Sequence, residues 1–437
     1  MIYEKLQGVI RKADYTLTDS DIESWVERCI DAENDDTIDF SLYRKNVFTQ
    51  GSKKRMVYCF PTDSVENFVC HYLKTEMDRV FRVKYASRSK IINLLFNTVP
   101  ALKNINDFVI IRADFKSFFD SVLSSFVYEN YILPSLLLRS DKDLMEKYVR
   151  EFKYCYAGLC LSNGMTELVC RDFDKRLQAK MTAYGVFFYE RYVDDMLMMT
   201  SKYISRDNVI NVINETISEV FKDCPVKLNM SAGKFSYISR RNMGIVETFN
   251  FLGYEFFINM DVQGNISFEY GITAKKRKRY SNIIERAFID YSISKNEELL
   301  RQRVKIFSSR VVIARQLVGQ SFDWLTKGIN ANYNELQQYT ELLHNDTKDF
   351  MKNLYYELLR KNHIKRPYFI EKDCDADSMY NILSNLRRNR TILFEEKIGI
   401  PAERITEWIL KINPRYSSLG KEYYRIVMDY LELIKIE

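Results

Sequence analysis

Residues that interrupt regular structure are scarce: 7 prolines and 14 glycines in 437 residues. Long disordered linkers and low-complexity tracts are therefore not expected, and no internal repeat is visible. Histidine is rarer still, with only His71, His344 and His363. The eight cysteines, Cys29, Cys59, Cys70, Cys155, Cys160, Cys170, Cys224 and Cys374, are scattered, and none forms a C-x-x-C pair. That pattern argues against a zinc centre and for free thiols in a reducing compartment. No apolar run is long enough to cross a bilayer, and Met1-Ile2-Tyr3-Glu4-Lys5 opens no signal sequence. No membrane span and a cytoplasmic location are the expectations.

What is present is a large apolar content, 46%, with 30 tyrosines and 28 phenylalanines. That suffices for a sizeable core and two or three subdomains. The net charge of +6 is modest but locally concentrated, in Lys53-Lys54-Arg55, Lys275–Arg279 and Arg387-Arg388. Such runs suit nucleic acid, although many are only solvated surface.

Periodicity divides the chain. Thr18-Asp19-Ser20-Asp21 reads as a helix N-cap leading into Ile22–Ile30. Residues 41–62 read as irregular or short strands. Helices are expected from Val65 to Met77, over Lys90–Asn97, from about Ser117, around Leu144–Phe152, in the second part of Gly158–Gln178, and over Asn208–Phe221. Strands are expected at Phe108–Phe115, Val226–Asn229, Phe235–Ile238 and Phe249–Ile258, with a hairpin over Val186–Thr200. From Ala274 onward everything reads as helix, including Leu299–Leu325, Tyr333–Leu343, Lys348–Leu359, Asp377–Leu386, Ala402–Lys411 and Tyr423–Ile436. An α+β core is thus expected to carry an all-helical C-terminal region.

The Val186–Thr200 hairpin turns at Tyr192-Val193-Asp194-Asp195. Adjacent aspartates repel and are costly beside buried strands unless a cation neutralises them. Asp114 ends the strand Phe108–Ala113. Three carboxylates at strand ends with no histidine nearby suit hard divalent ions, and hence phosphoryl chemistry. The competing reading is a buried ion-pair cluster in which lysine or arginine neutralises the acids.

The order of these segments resembles the reverse transcriptase family over about residues 50–260. A basic loop is followed by a strand ending in aspartate, a Gly-rich loop entering a helix, an aspartate-pair hairpin, a lysine, and a Phe-Leu-Gly hairpin. The resemblance implies a right-hand polymerase of fingers, palm and thumb. Residues 1–100 would be N-terminal extension and fingers, and 101–262 the palm, with a fingers segment near 120–180. Residues 263–330 would be a helical thumb and 331–437 a C-terminal helical domain.

It also implies roles. Asp114, Asp194 and Asp195 would hold two Mg²⁺ ions, with Mn²⁺ as an alternative, and Lys234 would act as general acid. Phe119 would pack under the sugar and exclude a 2′-hydroxyl. Lys54, Arg55, Gly158, Thr166 and Tyr192 would contact the nucleotide. Phe251, Leu252 and Gly253 would grip the primer end, and Lys275, Lys276, Arg277, Lys278 and Arg279 the duplex backbone. The loop departs from the family's Gly-Leu-Pro-Gln-Gly at Cys160, Leu161 and Ser162, and Gly164 is the candidate for restoring backbone freedom.

The helical C-terminal region, without ribonuclease H, protease, integrase or zinc-finger signatures, resembles bacterial abortive-infection and defence-associated reverse transcriptases. That implies an RNA-directed DNA polymerase in anti-phage defence. It would use a non-coding RNA template or none, with deoxynucleoside triphosphates as substrates. A homo-oligomer or a partner protein would form through the C-terminal helices. The alternatives are a retron-type enzyme, an RNA-dependent RNA polymerase, and a catalytically silent nucleic-acid-binding scaffold.

Overall fold

The structure, a computed structural model, describes residues 1–13, 17–50, 53–316 and 322–435. Its chain divides into Met1–Asn242 and Met243–Glu437. The boundary falls inside the segment 101–262 that the resemblance groups as one.

The first unit opens with α1 (Tyr3–Ala13) and α2 (Asp19–Asn34). Thr18 caps α2 in a full capping box with Asp21, so two orphan donors are satisfied reciprocally. The segment 41–62 is an antiparallel hairpin, β1 (Arg44–Gln50) with β2 (Lys53–Cys59). Next come α3 (Val65–Phe81), α4 (Arg88–Thr98) and β3 (Val109–Asp114). No long helix starts at Ser117. Instead a single 3₁₀ turn covers Phe118–Asp120, and α5 (Ser124–Val127) follows. Ser117 has a positive φ of 48°, which breaks any continuous helix at its first residue.

The unit continues with α6 (Arg139–Glu151), α7 (Cys160–Met181), β4 (Val186–Tyr192), β5 (Asp195–Thr200), α8 (Arg206–Phe221) and β6 (Ser236–Ser239). The stretch Val226–Asn229 is not a strand. It makes only an isolated bridge, Phe115 to Leu228. β4-β5-β3-β6 form a four-stranded sheet in that order, and each neighbouring pair is antiparallel. Phe115, directly after Asp114, is 1% exposed and meets Phe118, Phe173 of α7 and Phe221 of α8 at ring-centroid distances of 4.9, 5.1 and 5.7 Å. Each such pair adds about 0.5–1.5 kcal/mol beyond area burial. The end of β3 is thereby fixed against two helices.

The second unit contains β7 (Val246–Phe251), β8 (Tyr254–Met260) and β9 (Ile266–Ile272), an antiparallel meander. α9 (Ala274–Ser294) and α10 (Glu297–Ser308) follow. The expected helix Leu299–Leu325 ends at Ser308. Beyond it lie β10 (Arg310–Gln316) and β11 (Phe322–Lys327). After α11 (Ile329–Asn332), α12 (Asn345–Lys361) and α13 (Ile382–Arg387) comes β12 (Thr391–Phe394), then α14 (Ala402–Ile412) and α15 (Tyr423–Ile434). The C-terminal region is therefore not all helical: β11-β10-β12 make a three-stranded sheet, with β10 and β12 parallel. The cause is local. Val311 and Ile313 point into the core, and the β-branched run Val311-Val312-Ile313 favours a pleated, half-buried surface. Tyr333–Leu343 is mostly 3₁₀, over Asn334–Leu342.

A core of Val311, Ile313, Phe394, Ile405, Ile409 and Tyr430 lies around this sheet. Lys305 enters it, 7% exposed, with Nζ 3.3 Å from the Trp408 ring centre. Burial, reinforced by Arg301 and Arg404, lowers its pKa to about 7. The unfolded chain holds that proton to about pH 10.4. Between those values the unfolded state binds more protons, so stability rises with pH across this window. Lys305→Met is expected to stabilise the protein by ~2–4 kcal/mol at pH 6 and by progressively less toward pH 10. Calorimetry at pH 6 and pH 9 checks it, and an equal gain at both values contradicts it.

No helix among the described residues is long and apolar enough to cross a membrane.

Candidate active site at the β3–β5 sheet end

Asp114 is the last residue of β3 and Asp195 the first of β5, and their Cα atoms are register partners. Tyr192 and Asp195 close the β4–β5 hairpin over a two-residue loop, Val193-Asp194. Of these two, only Val193 has positive φ, 61°, the pattern of a II′ hairpin turn. That position favours glycine, and a β-branched residue there is strained. The turn is tied to β3 by the Phe115 amide, which donates to the Asp194 carbonyl at 3.2 Å. All three aspartates thus come to one end of one sheet, where like charges directly opposite are destabilising.

Asp114 is 2% exposed. Its Oδ1 accepts from Asn229 Nδ2 at 2.8 Å, and its Oδ2 is ion-paired to Lys234 Nζ. Asp195 is gripped at both oxygens by Arg112, through Nε and Nη2 at 2.9 Å each. Arg112 Nη1 also donates to the Gly233 carbonyl at 3.3 Å. Asp194 forms no ion pair among the described residues. Burial, then the neighbouring Asp114 charge, raises its carboxyl pKa. Burial also raises that of Asp195, with Arg112 opposing.

The counterions bear on whether the residues suit a divalent cation. Among the described residues, three ligand atoms gather within 4.8 Å of one another only at the surface group Asp373, Cys374 and Asp375. Asp114, Asp194 and Asp195 do not close to that spacing, because Arg112 draws Asp195 and Lys234 draws Asp114. The donor chemistry still suits a hard cation: carboxylate oxygens only, with one uncompensated charge at Asp194.

Beside the turn lies a pocket of about 150 Å³, walled by Phe119, Thr166, Tyr192 and Val193 together with Tyr85 and Asn163. Three of the expected nucleotide contacts therefore share one cavity. Thr166 donates its hydroxyl back to the carbonyls of Ser162 and Asn163, at 3.0 Å each. Leu161, at the family's glutamine position, is fully buried. Gly158 has φ 101°, and a Cβ there would meet the Tyr58 carbonyl oxygen at 2.4 Å, so the loop can pass β2 only as glycine. Gly164 does not supply the backbone freedom expected of it: it sits inside α7 without positive φ. The Lys54 and Arg55 backbones run in β2, and their side chains lie outside the described residues.

The second unit holds the other expected contacts. Leu252 and Gly253 form the two-residue turn between β7 and β8, both at positive φ, 49° and 90°, and Phe251 is buried beneath it. The basic run opens α9 and splits by face. Lys275, Lys278 and Arg279 are exposed and Lys276 is half-buried. Arg277 turns inward to Asp346, at 2.9 Å, and to the Ile272 carbonyl, at 2.6 Å. Arg277 is thus already paired within its own unit.

Two residues escaped the sequence reading. Arg112 was legible as a charge inside an apolar strand, two positions before Asp114 and so on the same face. Arg191 is 6% exposed. It donates to Asp174 at 2.9 Å, to Glu167 at 2.7 Å and to the Val193 carbonyl at 2.8 Å. Tyr189 donates to the same Asp174 at 2.6 Å. The available signal was Glu167 and Asp174, two turns apart on one face of α7.

No family model and no curated protein matches the chain. Among solved structures, it is similar to telomerase from Candida albicans in complex with a TWJ fragment of telomeric RNA. The identity is 10% and the TM-score 0.36, over 94% of this chain and 62% of that one. Telomerase from Candida tropicalis, in complex with the same kind of fragment, is 11% identical with a TM-score of 0.37, over 95% of this chain and 68% of that one. The chain spans less than two thirds of the first of these proteins. Neither likeness is close enough to establish a shared fold.

Proposed function

We propose that the chain is a nucleotidyltransferase of the reverse transcriptase type, an RNA-directed DNA polymerase that extends a 3′-hydroxyl with deoxynucleotides. The observation that carries this reading is the meeting of Asp114 with the Asp194–Asp195 turn at one sheet end, beside a pocket that Phe119 walls. Asp114 and Asp194 would hold the divalent ions, joined by Asp195 when Arg112 lets go of it. Bound Mg²⁺ supplies charge neutralisation on the triphosphate and acidifies the attacking hydroxyl. Lys234 Nζ, resting on Asp114, would carry a proton toward the leaving pyrophosphate. Phe119 fills space where a ribose 2′-hydroxyl would project. Lys275, Lys278 and Arg279, the exposed members of the basic run, would meet phosphates. A fingers, palm and thumb layout, an anti-phage role and a non-coding RNA template belong to the same proposal and rest on the family resemblance.

Incubation of the full chain with Mg²⁺ and labelled deoxynucleotides or ribonucleotides, with and without RNA template, tests it. Deoxynucleotide incorporation that is lost on chelation is expected. Phe119→Ala is expected to admit ribonucleotides at least tenfold better, on the order of 1–3 kcal/mol of pocket discrimination. Unchanged sugar selection would remove Phe119 from this role.

A second reading has its own observation. Lys234 and Arg112 already neutralise Asp114 and Asp195, which is what a silent nucleic-acid-binding scaffold would look like. Retained RNA binding with no incorporation of either nucleotide class would decide for it.

A further inference from the structure

The second unit contains a cavity of about 500 Å³ between the start of α9 and the end of β11. Three cations line it, Lys276, Arg279 and Lys327, and no carboxylate among the described residues does. Arg279 and Lys327 form no ion pair among the described residues, although the same unit pairs Arg277, Arg301, Arg303 and Arg390 with acids. Cations gathered in a concave site create a positive potential that concentrates anions. Most of the remaining lining is apolar or aromatic. Phe307 and Tyr280 meet edge to face at 6.0 Å, with Ile283 and Leu431 beside them. The volume lies within the range of small-molecule sites.

We infer that this cavity binds a nucleotide, with its phosphates on Arg279, Lys327 and Lys276 and its base against Tyr280 and Phe307. The juxtaposition favours a nucleotide over a lipid anion. Thr326 also lines the cavity, and its hydroxyl suits the edge of a base better than an acyl chain, which offers it no hydrogen bond. A flat base, in contrast, offers both a π-face and hydrogen-bonding edges. A free nucleoside triphosphate and the triphosphorylated 5′ end of a strand share this chemistry. The inference does not rest on the polymerase reading, because every residue it uses lies in Met243–Glu437.

The test is photolabelling of the full chain with 8-azidoadenosine triphosphate in EDTA, followed by peptide mapping. Saturable labelling of α9 or β11 peptides is expected. It should fall at least tenfold in Arg279→Glu/Lys327→Glu and persist in Asp194→Asn. Thr326→Trp keeps the charges and obstructs the mouth by volume; it too should abolish labelling, which guards against a variant that merely misfolds. ATP should compete and adenosine should not. Stronger competition by a 5′-triphosphorylated oligonucleotide than by its 5′-hydroxyl form or by ATP assigns the site to strand ends, and the reverse order assigns it to free nucleotide. Absence of label in this unit, labelling indifferent to charge reversal, or competition by palmitate but not ATP overturns the inference.

Discussion

Asp194→Asn is expected to lower nucleotide incorporation by ~10³-fold or more while making the folded chain more stable. The loss follows from the proposed role, since charge stabilisation by a bound ion is worth several kcal/mol and each 1.36 kcal/mol is tenfold in rate. The gain follows from geometry. Asp194 has no ion pair among the described residues, is half-buried, and sits beside Asp114 and Asp195. An amide of the same shape removes both the repulsion and the cost of burying an uncompensated charge, about 1 kcal/mol or more. Opposite movement of function and stability separates a working site from a structural cluster. Incorporation assays and urea unfolding in EDTA measure the two arms. Should the asparagine variant unfold more easily, Asp194 has a structural partner and the polymerase reading loses its main support.

Arg191→Met is expected to destabilise the protein by about 3–5 kcal/mol, because it strands Glu167 and Asp174 as unpaired acids in a buried setting. Stability is only part of its work. Arg191 also donates to the Val193 carbonyl, in the one turn residue held at positive φ. The triple replacement Arg191→Met, Glu167→Met, Asp174→Leu should recover most of the lost stability, since well-packed apolar groups often replace a buried ionic cluster without penalty. Incorporation should stay low, because the turn loses its anchor at the Val193 carbonyl. Arg191→Lys should rescue neither fully, as an ammonium cannot make the parallel fork contacts. Chemical denaturation with parallel activity measurements resolves these arms, and full activity in the triple variant would detach Arg191 from the turn.

Much of the candidate site was legible because its residues break the pattern around them. Asp114, Asp194 and Asp195 are charges at the ends of apolar runs, and alternation places strand ends well. The counterions were harder to foresee. Arg112 reaches Asp195 diagonally across β3 and β5, a contact that depends on register: its direct partner is Leu197. Arg191 finds Glu167 and Asp174 only once α7 packs on the sheet. The largest error in the fold lay after Ser308. There a run rich in apolar residues suited helix and strand alike, and the local β-branched preference of β10 is realised by pairing with its neighbour β11 and with the distant β12. Short apolar segments take their form from what they pair with.

The ion pairs of Lys234 with Asp114 and of Arg112 with Asp195 have a consequence for how the chain matures. Unlike a zinc finger, which remains a coil until its metal arrives, this sheet end has two of its three carboxylates already neutralised by the protein's own side chains. Folding need not wait for an ion, and a chelator should leave the native state standing. Uptake of a divalent cation would then be an exchange, one positive group yielding its seat to another. The side chain displaced from Asp114 would be set free at the moment a proton donor is wanted.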